Sequence, residues 1–138
     1  MAEAVLLDTC ACLWLTRGEP MSRASRQAVR RAQTSHVGVY VSAITAWEVA
    51  TLVSKGRYRL FVSPQVWFAR LLALAGVRLA TLTPEILIES AFLPGDPPKD
   101  PADRMIAATA RQHGLTVISR DRKLVAYAEQ DYLRLLAC

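Results

Sequence analysis

Four acidic residues occupy positions from which their carboxylates could converge. Asp8 closes the apolar run Val5-Leu6-Leu7, and Asp121 follows Val117-Ile118-Ser119 with one residue between. Glu48 has Ile44 and Leu52 four residues before and after it, and Asp103 has Ile106, Ala107 and Ala110 at helical spacing. Both acids therefore share the apolar face of a helix. A lone carboxylate on an inward face is costly to bury unless it meets a partner. Lysine and arginine do not recur at comparable inward positions, Arg104 excepted. A hard divalent cation, Mg²⁺ or Mn²⁺, answers a set of oxygen donors more simply. Such a cation activates water and stabilises charge on a phosphate undergoing hydrolysis.

Each acid also has a purely structural reading. Asp8 could cap a first helix, Asp121 could cap a helix from Arg122, and Glu48 could pair with a buried arginine. Asp100-Pro101-Ala102-Asp103 is a good helix start, with Asp at the N-cap, Pro at the first helical position and an acid in the first turn. Singly, these readings match the chemical one. Jointly, two acids at strand ends and two on inward helix faces point to one anionic pocket.

The elements that must hold that pocket can be traced along the chain. Apolar runs at Ala4–Leu7, His36–Val41, Val77–Leu82, Leu115–Ser119 and Tyr132–Leu136 predict strands. Between them lie helical patterns that open on Thr9, Ser22, Ser42, Ser63-Pro64, Thr83-Pro84 and Asp100-Pro101. Several stop at Gly56, Gly76 or Gly114. Strands that are continuously apolar and alternate with helices predict a parallel sheet covered on both faces, an α/β/α sandwich. Such sheets bind ligands at the carboxyl ends of their central strands, where Asp8 and Asp121 fall.

The 138 residues predict one domain spanning 1–138. The longest apolar stretch is too short to span a bilayer, and the amino end carries an acid before its apolar run, so a soluble, cytoplasmic protein is expected. Three cysteines, Cys10, Cys12 and Cys138, provide no disulfide framework and no zinc spacing with His36 or His113. They read as small packing residues, and Trp14, Trp47 and Trp67 read as core. Seventeen basic against 12 acidic residues give a net charge of +5, which suits a polyanionic partner. Setting aside the four pocket acids leaves 17 against 8, or +9. Arg23, Arg26 and Arg30, with Arg31 beside them, and the group Lys55, Arg57 and Arg59 are candidate RNA phosphate contacts, or else solvated surface.

Asp8 after Val-Leu-Leu, Glu48 in SAITAWEVA, Asp103 in DPADRMIAATA and Asp121 in SRDRKL resemble the four acids of the PIN-domain ribonucleases. The likeness is strongest to the VapC-type toxins of toxin–antitoxin pairs and runs from residue 4 to about residue 125. It implies a five-stranded parallel sheet of order 3-2-1-4-5 and an Mg²⁺ or Mn²⁺ site formed by Asp8, Glu48, Asp103 and Asp121. It also implies cleavage of single-stranded RNA, dimerisation, and inhibition by a cognate antitoxin. On this likeness Asp8, Asp103 and Asp121 would bind the metal, and Glu48 would orient a second ion or accept the proton of the attacking water. Ser119 matches a hydroxyl that supports a neighbouring acid. Asp100 is assigned the cap role, or a supporting role beside the metal. The alternatives are an acid-cluster nuclease acting on DNA, and a PIN-like module that binds RNA or a partner without cutting.

Overall fold

The computed structural model describes residues 2–138. The chain runs β1 (Val5–Leu7), α1 (Thr9–Arg17), α2 (Arg23–Thr34), β2 (Val39–Ser42), α3 (Ala43–Ser54) and α4 (Pro64–Ala73). It continues β3 (Val77–Ala80), α5 (Pro84–Ala91), α6 (Pro101–His113), β4 (Thr116–Ser119), α7 (Arg122–Glu129) and β5 (Leu135–Ala137). The strands form one parallel sheet of order β3-β2-β1-β4-β5, as the family resemblance implied. No helix of the described residues is long and apolar enough to cross a membrane.

The continuous apolar strands have a direct cause: they feed two cores. Val5, Leu7, Val39, Val41 and Ile118 pack with Ala11, Cys12, Val29, Trp67 and Leu71 on one face of the sheet. Leu6, Val117 and Tyr40, which alternate with them, pack on the other face with Ile86, Ile106, Ala107, Leu124 and Tyr127. Successive strand residues point to opposite faces, so a central strand covered on both sides is apolar at successive interior positions, with polar residues at its ends, as Thr116 and Ser119 are in β4.

Helix starts follow the side-chain grammar of the sequence. Ser22, Ser42, Ser63 and Thr83 each accept a backbone N–H at the start of α2, α3, α4 and α5. At α1 the sequence offered two caps, Thr9 and Asp8. Asp8, not Thr9, is the cap: it is extended (φ −72°, ψ 174°) and accepts the Ala11 N–H, while Thr9 already lies in the helix.

Gly76 sits in the turn between α4 and β3 at φ 73°, where a Cβ would meet the backbone of Gln33 at 2.7 Å. Gly18 has a similar φ of 69° but open space around it. Gly76→Ala therefore meets strain and a backbone clash together, and Gly18→Ala meets strain alone. We expect Gly18→Ala to cost about 1 kcal/mol and Gly76→Ala at least ~2 kcal/mol in urea unfolding. Equal losses would remove the role of the close approach to Gln33.

Candidate active site

The pocket begins at the seam between β1 and β4. Their parallel register places Leu7 opposite Ile118, so the next residues, Asp8 and Ser119, stand side by side at the carboxyl edge. One Asp8 oxygen accepts the Ala11 N–H at 2.7 Å, and the other accepts the Ser119 hydroxyl at 2.5 Å. The Ser119 hydroxyl in turn accepts the Asp121 backbone N–H at 3.0 Å. One serine thus fixes the spacing of two strand-end acids. Asp121 caps α7 through the N–H groups of Lys123 and Leu124, at 2.9 and 3.0 Å.

The other acids come from helices. Glu48 on α3 accepts a short hydrogen bond from the Thr9 hydroxyl. That hydroxyl has one proton, so its 3.2 Å contact with Thr45 must run from the Thr45 hydroxyl. Asp103 lies in the first turn of α6, and Asp100 caps that helix by accepting the Asp103 N–H at 3.0 Å. Asp8, Glu48, Asp100, Asp103 and Asp121 line one pocket of about 360 Å³ with Thr9, Cys10, Trp14 and Arg120. Two larger recesses of about 610 and 570 Å³ gather no such cluster.

The charges in this pocket are poorly compensated. Burial, followed by Asp121, Asp100, Glu48 and Asp8, pushes the Asp103 carboxyl up to about 7. Asp8 and Glu48 are also raised, burial being the largest cause in each, with their hydrogen bonds from Ser119 and Thr9 opposing it. Among the described residues the one ion pair is Arg17 with Glu19, at 3.8 Å, and it lies outside the pocket. Oxygen donors with surplus negative charge and no imidazole suit a hard divalent cation. As the side chains stand, no three His, Cys, Asp or Glu of the described residues are gathered tightly enough to hold one ion. Asp8, Glu48 and Asp121 are turned to hydrogen bonds of the chain itself, so closing on a cation would need side-chain rotation.

A PIN domain family model matches residues 5–130. The chain is 35% identical over 121 residues to Ribonuclease VapC22 of Mycobacterium tuberculosis, a match covering 87% of this chain and 88% of that one. The chain belongs to the PIN domain family. Its fold is also that of VapBC2 from Rickettsia felis, solved bound to a DNA fragment from its promoter, with a TM-score of 0.68 at 16% identity over 97% of this chain and 98% of that one. A toxin–antitoxin complex from Klebsiella pneumoniae is similar at a TM-score of 0.58 and 24% identity, covering 88% and 90% of the two chains.

Within this PIN domain some expected placements change. Cys12 is core, but Cys10 projects from the other side of α1 and lines the pocket. Burial first, then the neighbouring acids, pushes its thiol up to about 11, so it offers a neutral thiol rather than a thiolate. Trp67 is buried and Trp14 half-buried, whereas Trp47 is 62% exposed because its side of α3 faces no other element's core. Arg104 turns from the pocket to the carbonyls of Ser90, Ala91 and Pro98.

The arginines of α2 are spread along the sheet's depth. The Ser22 hydroxyl bonds the Ala137 carbonyl at the carboxyl edge, while Arg31 lines the recess beside Val5 and Thr116 at the amino edge. Arg23 thus stands nearest the acid end, Arg30 and Arg31 at the opposite end, and Arg26 between. Lys55 and Arg57 follow α3 about two turns beyond Glu48.

Thr9 and Arg120 were not among the expected site residues. Thr9 was hidden by its reading as a cap. The position of Arg120, between a strand-end serine and a strand-end acid, was the signal available for it.

The raised Asp103 pKa has a stability consequence with a definite sign. The folded chain binds this proton more tightly than the unfolded chain, whose Asp titrates near 3.8. The contribution of Asp103 to stability is therefore fully present below about pH 4 and is lost as pH rises through about 7. Without divalent cation, Asp103→Asn should remove this part of the slope and stabilise the fold at pH 8 by about 1–2 kcal/mol, discounted for partial solvent contact. Thermal melts in EDTA at pH 5 and pH 8 test this; an unchanged difference between the two pH values would contradict it.

Proposed function

We propose that this PIN-domain chain, 1–138 as one domain, is a divalent-metal-dependent endoribonuclease acting in the cytoplasm as the toxin of a toxin–antitoxin pair. The observation that carries the reading is the meeting of Asp8, Glu48, Asp103 and Asp121, from four separate parts of the chain, in one under-neutralised pocket. Sequence similarity to a ribonuclease over most of both chains supports RNA as the substrate.

Asp8, Asp103 and Asp121 present oxygen donors for Mg²⁺ or Mn²⁺. When bound, that cation would lower the pKa of the attacking water and offset charge on the scissile phosphate. Ser119 fixes the separation of Asp8 from Asp121. Glu48, oriented by Thr9 and held above its ordinary pKa by burial, is placed to accept the proton of water as its oxygen attacks phosphorus. The P–O bond on the opposite side then breaks, and the departing oxygen takes up a proton. Asp100 keeps α6 aimed at the pocket.

The solved VapBC2 and toxin–antitoxin relatives support an antitoxin partner. The groove between α1 and α4, lined by Leu15, Phe61 and Trp67 and rimmed by Arg17, Arg59 and Arg70, is suited to an apolar-anchored segment with acidic flanks. Trp47, Ile88 and Phe92 are 62%, 64% and 81% exposed, which supports association of two copies. Arg23 is the α2 cation best placed to contact RNA leaving the pocket.

Purified protein with a single-stranded RNA oligonucleotide and Mg²⁺ should yield internal cuts that EDTA abolishes, with the DNA of the same sequence intact. DNA cut at an equal rate would move the assignment to a DNA nuclease; no cut in either would leave a binding module. Asp8→Asn and Asp103→Asn, which keep side-chain shape, should each lower kcat roughly 100-fold or more.

Ser119→Ala frees Asp8 and Asp121 from their shared hydroxyl. The Mg²⁺ concentration for half-maximal activity should then rise about 10–100-fold. An unmoved Mg²⁺ midpoint would remove Ser119 from the site.

A further inference from the structure

The cation that lines the acid pocket is not spent on its acids. Arg120 is exposed and lies between Ser119 and Asp121, yet among the described residues no Asp or Glu side chain forms an ion pair with it. Its charge is the last of the influences on Asp8 and does not figure among the main influences on Asp103 or Glu48.

Two contacts hold it instead. The guanidinium lies over the indole of Trp14, 3.7 Å from the ring centroid, and its Nη2 donates to a main-chain oxygen of Cys138 at 3.1 Å. The Cys138 N–H donates to the Ser119 carbonyl at 3.0 Å, so this support is tied to the end of β4. Placement over the ring engages the face of the guanidinium and leaves free the in-plane N–H donors not given to Cys138. A stacked, pre-aimed fork at the rim of a pocket for a polyanion is suited to bidentate contact with phosphate oxygens. A group recruited to neutralise the acids would instead sit against one of them.

We propose that Arg120, held on Trp14, is a substrate-positioning residue that binds an RNA phosphate next to the scissile one. The proposal rests on the ribonuclease reading above and adds to it a residue that fixes the register of the strand. Trp14 acts as the platform that keeps the fork from collapsing onto Asp8 or Asp121.

The test uses the full chain carrying Asp103→Asn, to suppress cleavage, and a fluorescently labelled single-stranded RNA oligonucleotide titrated across a salt series. Adding Arg120→Ala should weaken binding about 5–10-fold and flatten the log–log salt dependence by about 0.7, the share of one phosphate on a single strand. Arg120→Lys should keep the salt slope and recover part of the affinity, since charge is kept and the fork is lost. In the otherwise native chain, Arg120→Ala should raise KM with kcat within about 3-fold.

Unchanged affinity and slope in Arg120→Ala would overturn the proposal while leaving the nuclease reading intact, provided the native chain cuts RNA. If the native chain neither binds nor cuts RNA, the nuclease reading fails and the proposal falls with it. Should Arg120→Ala not fold, Arg120→Gln, which keeps a donor for the main-chain oxygen of Cys138, is read by the same slope.

Discussion

Carboxylates that share a pocket repel one another, and in this protein the side chains around them do little to relieve it. Caps alone do not require that charge. The chain starts α2, α3, α4 and α5 with Ser or Thr, neutral residues that cap as well as Asp. It uses Asp at α1, α6 and α7, the three helices whose amino ends open on the pocket. The positive ends of those helices offset part of the charge. They do not offset all of it, since Asp103 is still held near neutrality of pKa, at about 7. The remaining deficit is what a cation or a proton can fill, and it accounts for acids where Ser would have served the fold.

The sheet order makes this concentration possible. Because β1 pairs with β4 on one side as well as with β2 on the other, Asp8 and Ser119 become neighbours across 111 residues of chain. The helices after β1 and β4 leave in different directions from that seam, which opens the crevice expected where strand order reverses. α6 then presents Asp103 from one core's helical layer, while Glu48 enters from α3, which is in contact with α6. Each acid lies on a rigid element: Asp8 and Asp121 at strand ends, Asp103 in the first turn of α6 and Glu48 in the middle of α3. Loops contribute little to its position.

Most of this was legible in the sequence because it was written in short-range terms. Continuous apolar runs in the strands signalled a doubly covered sheet, and Ser-Pro, Thr-Pro and Asp-Pro pairs marked helix starts within a residue or two. Asp8 and Asp121 could be placed from the apolar runs before them. What the sequence hid was set by side-chain direction and long-range contact. Thr9 and Asp8 are both good caps, and only backbone geometry at the end of β1 decides between them. Cys10 and Cys12 differ by two residues and therefore by the side of α1 they occupy, one in the pocket and one in the core. The regular spacing of Arg23, Arg26 and Arg30 suggested one basic face, but it could not reveal that α2 runs from the carboxyl edge to the amino edge of the sheet.

Charge is thus arranged at two ranges. The chain as a whole is basic, +5, and attracts a polyanion over roughly a Debye length, about 10 Å at moderate salt. Within the pocket the sign reverses, and a phosphate that arrived there unaided would meet carboxylates at close range. A strand of RNA can satisfy both fields only if its phosphates rest on cations at the rim while one phosphate is drawn inward by metal charge. That separation of attraction from chemistry gives a rim guanidinium its value: stacked on Trp14 rather than paired with an acid, it stays available to the strand, and the acids stay available to the ion.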